Sequence, residues 1–274
     1  MDGAMLLSGV ISTSILGIIP EDKLNDQPKD IVSTEISQQS ERRKEFWKIL
    51  TKKSFNAKKL KKFLNSCGVD INSRNANGDT PFLYSVRTHK SRLMEFLLKI
   101  PEVNVNAVDF SGNTSVIIAA KYKNIDLIKR LINHIDYKEA DILNFLYAYK
   151  NHEKWSDERL RRCIDQRIKN FLNVTNNKGN TALMTAISSG NYTLIRYLVE
   201  HGADINKSNI FGLTPLISAV EKANKKLVKC LVEYNADDIF SNNKGETLLA
   251  RAKEKGLTKI AKILEKAKNI SSFH

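Results

Sequence analysis

The chain is poor in the residues that mark several common classes of protein. Its 274 residues include three cysteines, Cys67, Cys163 and Cys230, and no Cys-x-x-Cys pair. This spacing argues against a disulfide framework. Because each cysteine lies among apolar residues at helical spacing, we expect small buried side chains in a reducing compartment. Only five prolines and twelve glycines are present, which argues against long low-complexity stretches.

Catalytic motifs are also missing. The sequence has no glycine-rich phosphate loop, no His-Glu-x-x-His and no Gly-x-Ser-x-Gly. The five histidines are scattered, and no histidine or cysteine group has the spacing of metal ligands. We therefore expect a non-enzymatic protein with no cofactor and no metal site.

Basic residues are in excess. The chain has 32 lysines and 12 arginines against 30 acidic residues, a net charge of +14. Such a charge suggests an acidic protein, nucleic acid or an anionic membrane as partner, and says nothing about the fold. The abundance of lysine, asparagine and isoleucine also fits an A+T-rich genome, as in an intracellular bacterium or a large virus. Part of the charge is then a codon effect, which weakens it as a functional signal.

Residues 1–43 differ from the rest of the chain. Residues 4–19 are uncharged and moderately apolar, but no basic start or small-residue cleavage site marks a secretory signal. The stretch is also short and weakly apolar for a membrane span. Three interpretations of residues 4–19 stay open. The segment forms a short helix that is packed or poorly ordered, it is a membrane or export segment, or the start of the coding sequence is wrongly assigned. Residues 21–43 are polar and are predicted to form a flexible linker.

A nine-residue motif recurs along the remaining chain. It is most complete at 209–217, as Asn-Ile-Phe-Gly-Leu-Thr-Pro-Leu-Ile, with variants at 75–83, 109–117, 176–184 and 242–250. The motif glycines, 78, 112, 179, 212 and 245, are separated by 34, 67, 33 and 33 residues. Within each motif the glycine suits a tight turn, the threonine suits a helix N-cap and the proline suits the first helical position. Two amphipathic helices follow each motif.

The period of 33 and the Thr-Pro-Leu sequence resemble the ankyrin repeat. The resemblance covers about residues 44–268. It implies an all-α, ankyrin-repeat solenoid of helix-turn-helix units joined by short β-hairpin or turn loops. The units are predicted at 44–74 (an N-terminal cap), 75–108, 109–140, 176–208, 209–241 and 242–268, with a tail at 269–274.

Two departures from the family pattern stand out. The interval of 67 residues is close to two periods, so residues 141–175 are predicted to be a degenerate unit that has lost the motif. The histidine of the family's Thr-Pro-Leu-His is also replaced throughout, by Leu83, Ile117, Met184, Ile217 and Ala250. We expect contacts between units to depend more on apolar packing as a result.

The resemblance implies a protein–protein interaction scaffold that binds through its concave face and hairpin tips. The predicted partner-binding residues are Tyr84, Arg87, Phe110, Lys121, Tyr122, Ile210, Phe211 and Glu221. Further positions predicted to face this groove are Thr88, Ile118, Thr185, Ser188, Ser189, Ser218 and Lys222. The tip residues Phe110, Ile210 and Phe211 stand where the fold needs only turn formers, and aromatic anchors dominate interface energies. For Phe110 and Phe211 the alternative is that the ring folds back over the neighbouring hairpin.

The partner itself is left open. We expect a monomer that binds another protein with an acidic or mixed surface, in a reducing cytosol, after secretion into a host cell as an effector, or tethered to a membrane through residues 4–19. The alternative function is electrostatic binding of nucleic acid or anionic membrane through lysine-rich faces at the two ends. Nucleic acid is disfavoured because the aromatic residues among those lysines are better explained as core.

Overall fold

The computed structural model describes residues 29–134, 157–237 and 247–271. The predictions for residues 4–19, for 141–156 and for the motif at 242–246 fall outside this range. The described residues divide at Val69 into two compact units. Every regular element within them is an α-helix, and no β-strand is formed there. No helix in this part of the chain is long and apolar enough to cross a membrane.

The first unit is a pair of helices, α1 (Lys29–Thr51) and α2 (Ala57–Cys67). Their contact buries Phe46, Leu50 and Leu60, and the Phe46 ring stacks on Phe63 with centroids 6.3 Å apart. Residues 37–45 of α1 are exposed. The structure differs here from the predicted linker, because residues 29–43 are helical. Pro28 precedes α1, and no glycine or proline interrupts the segment.

The second unit contains two rows of helices. The first helices of the pairs are α3 (Pro81–Arg87), α5 (Ser115–Lys121), α8 (Ala182–Ser189), α10 (Pro215–Glu221) and α12 (Leu248–Glu254), which contact one another in that order. The second helices are α4 (Ser91–Leu98), α6 (125–134), α9 (Tyr192–Glu200), α11 (Lys225–Glu233) and α13 (Thr258–Ser271). The core is the apolar layer between the rows.

Each first helix begins at the predicted threonine. The hydroxyl oxygen of the threonine at position 80, 114, 181, 214 or 247 accepts a hydrogen bond from the backbone N–H three residues later. The residues that donate include Leu83, Ile117, Met184 and Ile217, which stand where the family has histidine. All four are at most 5% exposed, so apolar side chains fill those positions. The fifth, Ala250, is exposed.

The interval between the second and third motifs of this unit is bridged differently from the prediction. Helix α5 packs directly against α8, and Asn191 Nδ2 donates to the Lys123 carbonyl between the helices of the two pairs. The Lys129 ammonium also lies 5.7 Å from the centre of the Tyr197 ring, which joins α6 to α9. The pairs α5–α6 and α8–α9 are therefore neighbours. The additional residues between them, including α7 (Asp157–Leu172), are an insertion and do not separate the first helices.

The cysteines are less buried than expected. Cys67, Cys163 and Cys230 are free thiols of intermediate exposure. They lie in α2, α7 and α11. Partial burial raises the pKa of the Cys230 thiol.

The turn that joins the two helices of a pair passes through the left-handed region. At this position the chain has His89, Lys123 and Ala223, with φ of 56°, 59° and 51°, whereas the third and fifth pairs have Gly190 and Gly256. A side chain is disfavoured in this region because Cβ approaches the following carbonyl oxygen. The non-glycine turns therefore hold backbone strain.

Replacing Ala223 by glycine is expected to raise the free energy of unfolding by about 0.5–1 kcal/mol, because the steric cost of a left-handed alanine is removed. Urea denaturation of the wild-type and variant chains measures the change. The matched control is Gly190→Ala, at φ 71°, where an added Cβ meets nothing within 4 Å. The Gly190→Ala substitution should lower the free energy of unfolding by about 1 kcal/mol. Equal urea midpoints for the wild type and both variants would contradict the proposed backbone strain.

Candidate partner-binding surface at the turn tips

Each turn tip is organised by the side chain of its first residue. Asn209 Oδ1 accepts hydrogen bonds from the backbone N–H groups of Phe211 and Leu213, at 2.9 and 3.1 Å. Asn75, Asp109 and Asn176 each do the same for the residues two and four positions later. This is an Asx turn, in which the side chain replaces a backbone acceptor. The side chains at the second and third motif positions take no part in it.

Neighbouring tips are joined backbone to backbone. The Asn177 N–H donates to the Ser111 carbonyl at 3.0 Å, and the Ile210 N–H donates to the Lys178 carbonyl at 3.2 Å. Gly179 has φ 72°, and a Cβ added there would lie 2.7 Å from Ile210 N. Glycine is therefore required both for the turn and for the close approach of the next tip. We call the four tips, residues 76–78, 110–112, 177–179 and 210–212, the tip row.

Side-chain amides also cross between the tips. Asn176 Nδ2 donates to Asn113 Oδ1 at 2.9 Å, and Asn209 Nδ2 donates to Asn180 Oδ1 at 3.0 Å. Sequence reasoning missed these bonds. The available signal was the recurrence of Asn or Asp at the first motif position, with Asp or Asn at the fifth in three motifs. These bonds contribute inter-unit contacts where the family histidine is absent.

Arg87 joins the first two tips by ion pairs. Its Nε lies 2.9 Å from Asp79 Oδ2, and its Nη2 lies 2.8 Å from both Asp79 Oδ1 and Asp109 Oδ2. Asp79 and Asp109 are 1% and 7% exposed. Bonding to Asp79 and then Asp109 raises the pKa of Arg87, although burial opposes this. Arg87 was predicted as a partner anchor, but its guanidinium is already held by two carboxylates.

Glu221 is likewise held within the chain. Lys255 Nζ donates to Glu221 Oε2, and Arg251 Nε lies 2.5 Å from Glu221 Oε1. The bond from Lys255 and the charge of Arg251 hold the pKa of Glu221 below its ordinary value, against the effect of burial. The contacts join α10 to α12. They do not support the prediction that Glu221 faces a partner.

Large apolar side chains lie exposed on the tip row. Phe110, Ile210 and Phe211 expose 67%, 66% and 68% of their surface. The Phe110 ring does lie against the neighbouring tip, since a Cβ on Gly78 would be 2.6 Å from its Cγ. Its outer face nevertheless remains open to solvent. The Phe110 ring thus folds partly over the neighbouring hairpin, as the alternative predicted. The Phe211 ring is two-thirds exposed.

The remaining predicted site residues lie on or near the first helices. Lys121 is exposed, and Tyr122 is 42% exposed with its ring edge-on to His89, centroids 5.2 Å apart. Tyr84 is half-buried, with the Lys90 ammonium 5.2 Å from its ring centre. Ile118 was predicted to face the groove, but it is 2% exposed because α5 packs between α3 and α8.

The small polar residues predicted for the groove bond mainly to their own helices. Thr88, Thr185 and Ser189 donate their hydroxyls to backbone carbonyls three or four residues earlier. Ser188 and Lys222 are exposed, and Ser218 is half-buried. In the part of the chain that the structure describes, no three His, Cys, Asp or Glu side chains are grouped as metal ligands.

Helix pairs capped by threonine and joined through their turn tips define a helical repeat scaffold. Two models of the ankyrin repeat family match the chain, one described as ankyrin repeats (3 copies) over residues 50–144 and one as ankyrin repeats (many copies) over residues 183–232. The chain is an ankyrin repeat protein, and it belongs to a family that is generally used for protein–protein interaction.

Known proteins resemble it in sequence and in structure. It is 30% identical over 104 residues to the putative ankyrin repeat protein L38 of Acanthamoeba polyphaga mimivirus, a match covering 33% of this chain. The same match covers 55% of L38, so the chain spans about half the length of that relative.

Two solved structures share the fold. An ankyrin repeat domain from Acinetobacter baumannii AYE aligns with a TM-score of 0.56 and 21% identity, over 77% of this chain and 92% of that one. The ankyrin repeat domain of Bcl-3, a member of the IκB protein family, aligns with a TM-score of 0.58 and 21% identity, over 77% and 81%.

Replacing Arg87 by alanine is expected to lower the free energy of unfolding by about 3–5 kcal/mol, because two buried carboxylates lose their cation. Urea denaturation at pH 7 measures the loss. The control is Arg130→Ala, which breaks the ion pair with Glu95 between side chains that are 52% and 54% exposed, and should cost less than about 1 kcal/mol. Equal losses in the two variants would show that the Arg87 ion pairs stabilise the fold no more than an exposed ion pair does.

The contribution of Arg87 should also depend on pH. Burial alone would raise the pKa of Asp109, but hydrogen bonds from Asn113, Arg87 and Ser111 hold that pKa below its ordinary value. A depressed folded-state pKa stabilises the protein above the unfolded-state value of about 3.9, and this stabilisation is lost as the pH falls through the folded-state pKa. The difference in unfolding free energy between wild type and Arg87→Ala should therefore be fully present at pH 6 and should narrow as the pH falls below about 4. A constant difference over that range would contradict the assignment.

Proposed function

We propose that this chain is a non-enzymatic scaffold that binds a partner protein through the tip row and the adjoining surface of α5. The observation that carries the proposal is the exposure of Phe110, Ile210 and Phe211 by 66–68% at turn positions. The Asx side chains already satisfy the turns, so the fold does not require apolar residues there. Lys121, the last residue of α5, and Tyr122, which follows it, are also exposed, and the proposal includes them.

Burial of these side chains by a partner would be favourable. Transfer of a large apolar side chain from water to a packed interface contributes about 1.5–3 kcal/mol. The tips are held to one another by backbone and amide hydrogen bonds. Their exposed side chains therefore have fixed relative positions, which lowers the entropic cost of binding.

The proposal is tested by affinity capture with the full chain and with a Phe110→Ala/Phe211→Ala variant. Proteins that wild type recovers from the relevant lysate should be lost from the variant, and the dissociation constant of a recovered partner should rise by about 30-fold or more, as for loss of one strong aromatic anchor. Both proteins should unfold at nearly the same urea concentration, because the Asx side chains close the turns, although the Phe110 ring also contacts a neighbouring tip.

The matched control is Val174→Ala, which shortens an exposed apolar side chain outside the tip row. It should recover the same proteins as wild type. Recovery that is unchanged by the tip substitutions would count against the proposed surface. A host protein among the specific partners would support an effector role.

A second candidate function rests on the first unit. Between residues 37 and 69 there are ten exposed lysines and arginines and two acidic residues, with no large apolar side chain exposed. Such a surface favours electrostatic contact with polyanions such as nucleic acid or anionic lipid. Binding of a DNA duplex or of phosphatidylserine vesicles would then fall steeply with salt, and charge reversal at Lys58, Lys61 and Lys62 would abolish it.

A further inference from the structure

We infer that the tip row binds an extended acidic peptide segment that carries two large apolar side chains about five or six residues apart. This inference rests on the proposed function and specifies the chemistry of the partner. It follows from the balance of charge around the tips and from the spacing of the exposed apolar groups.

The acidic residues of this surface are already neutralised. The tips and first helices over residues 74–90, 108–123, 176–190 and 207–223 contain three acidic and eight basic residues. Asp79 and Asp109 are paired with Arg87, and Glu221 is paired with Arg251 and Lys255. No acidic side chain of these four segments is left to attract a basic partner.

Some basic side chains of these segments are bonded within the chain, and others are free. Arg74 Nη1 donates to the Gly78 carbonyl at 2.8 Å, and Lys207 Nζ donates to the Asn173 carbonyl at 2.9 Å. The side chains of four exposed lysines, in contrast, form no hydrogen bond or ion pair with any residue that the structure describes. They are Lys121, Lys123, Lys178 and Lys222. Charge complementarity therefore favours carboxylates from the partner, and like charges would be repelled.

The order of the tips sets the spacing within the partner. Phe110 lies in one tip, Ile210 and Phe211 lie two tips further along, and Lys178 lies in the tip between them. Packed helices are about 8–10 Å apart, so two steps of the row cover about 16–20 Å. An extended chain rises about 3.3 Å per residue. Two apolar side chains separated by about five or six residues would reach both sites, with acidic residues between them facing Lys178.

A nucleic acid would also meet the four lysines, but it would not use the apolar groups in the same way. Ile210 offers no ring for base stacking, although it is two-thirds exposed beside Phe211. Phe110 has one face against Gly78. Alternating aliphatic, aromatic and cationic contacts suit a peptide better than a strand of stacked bases.

The test uses a display library of random 16-residue peptides, selected on the full-length chain. Enriched peptides are expected to carry net negative charge and two large apolar residues five or six positions apart. One enriched peptide is then synthesised, and its affinity is measured by fluorescence anisotropy at several salt concentrations. Its affinity should fall at least tenfold with Phe110→Ala/Phe211→Ala, and at least tenfold with glutamate at Lys121, Lys123, Lys178 and Lys222.

The matched control puts glutamate at four exposed lysines of the second helices, Lys225, Lys259, Lys262 and Lys266. It changes the net charge equally and should alter the affinity less than twofold. Enriched peptides that need the two rings but are neutral or basic would overturn the acidic assignment and leave the proposed function intact. No enrichment, or peptides indifferent to the two rings, would overturn the extended-peptide assignment, and the capture experiment above would then decide the proposed function by itself. A DNA duplex that binds with the same lysine dependence and without ring dependence would overturn the peptide assignment in favour of nucleic acid.

Discussion

The hydrogen bonds that the first motif residue makes to its own turn are the interaction on which the repeat unit depends. An Asn or Asp oxygen accepts the backbone N–H groups two and four residues later, which closes the turn without help from a neighbour. With these donors satisfied, the tip backbone is free to bond to the next tip, and glycine gives it room to approach. The threonine cap then begins the helix at a fixed point. Turn, cap and inter-unit spacing are therefore all set by residues of one nine-residue motif.

The joints between units combine this local rule with contacts that are particular to each interface. The second and third tips of the row are joined by neutral amides, and the third and fourth likewise. The first two tips are joined by Arg87 and two buried carboxylates. A buried ion pair contributes little net stability over apolar packing, but removal of one partner is costly. Arg87 therefore ties the first two tips together, and its loss would leave two buried carboxylates without their cation.

The features that depend on neighbouring residues in the chain could be predicted from the sequence. The threonine caps and the helix pairs follow from residues close together in the chain, and the structure places them as expected. The same reasoning did not foresee the ion pairs of Arg87, because its second carboxylate, Asp109, lies 22 residues away and only the stacked structure brings them together. It also did not foresee the pairing of Glu221, because the cations that hold it belong to the first helix of the next pair, α12, and to the turn after it. The linker prediction was wrong for residues 29–43, which are helical. Their polar composition is typical of a linker, but no glycine or proline interrupts the helix.

The insertion between α6 and α8 matters for recognition as much as for the fold. If residues 141–175 formed a layer of their own, another tip would separate Phe110 from Ile210 and Phe211. Because α5 contacts α8 directly and Asn177 bonds to Ser111, only one tip lies between them. Residues about one hundred positions apart in sequence thus belong to one short surface. A segment of ordinary extended peptide can reach both ends of that surface, whereas a further tip would require a longer partner. The continuity of the proposed interface therefore depends on the additional residues being kept out of the row of first helices.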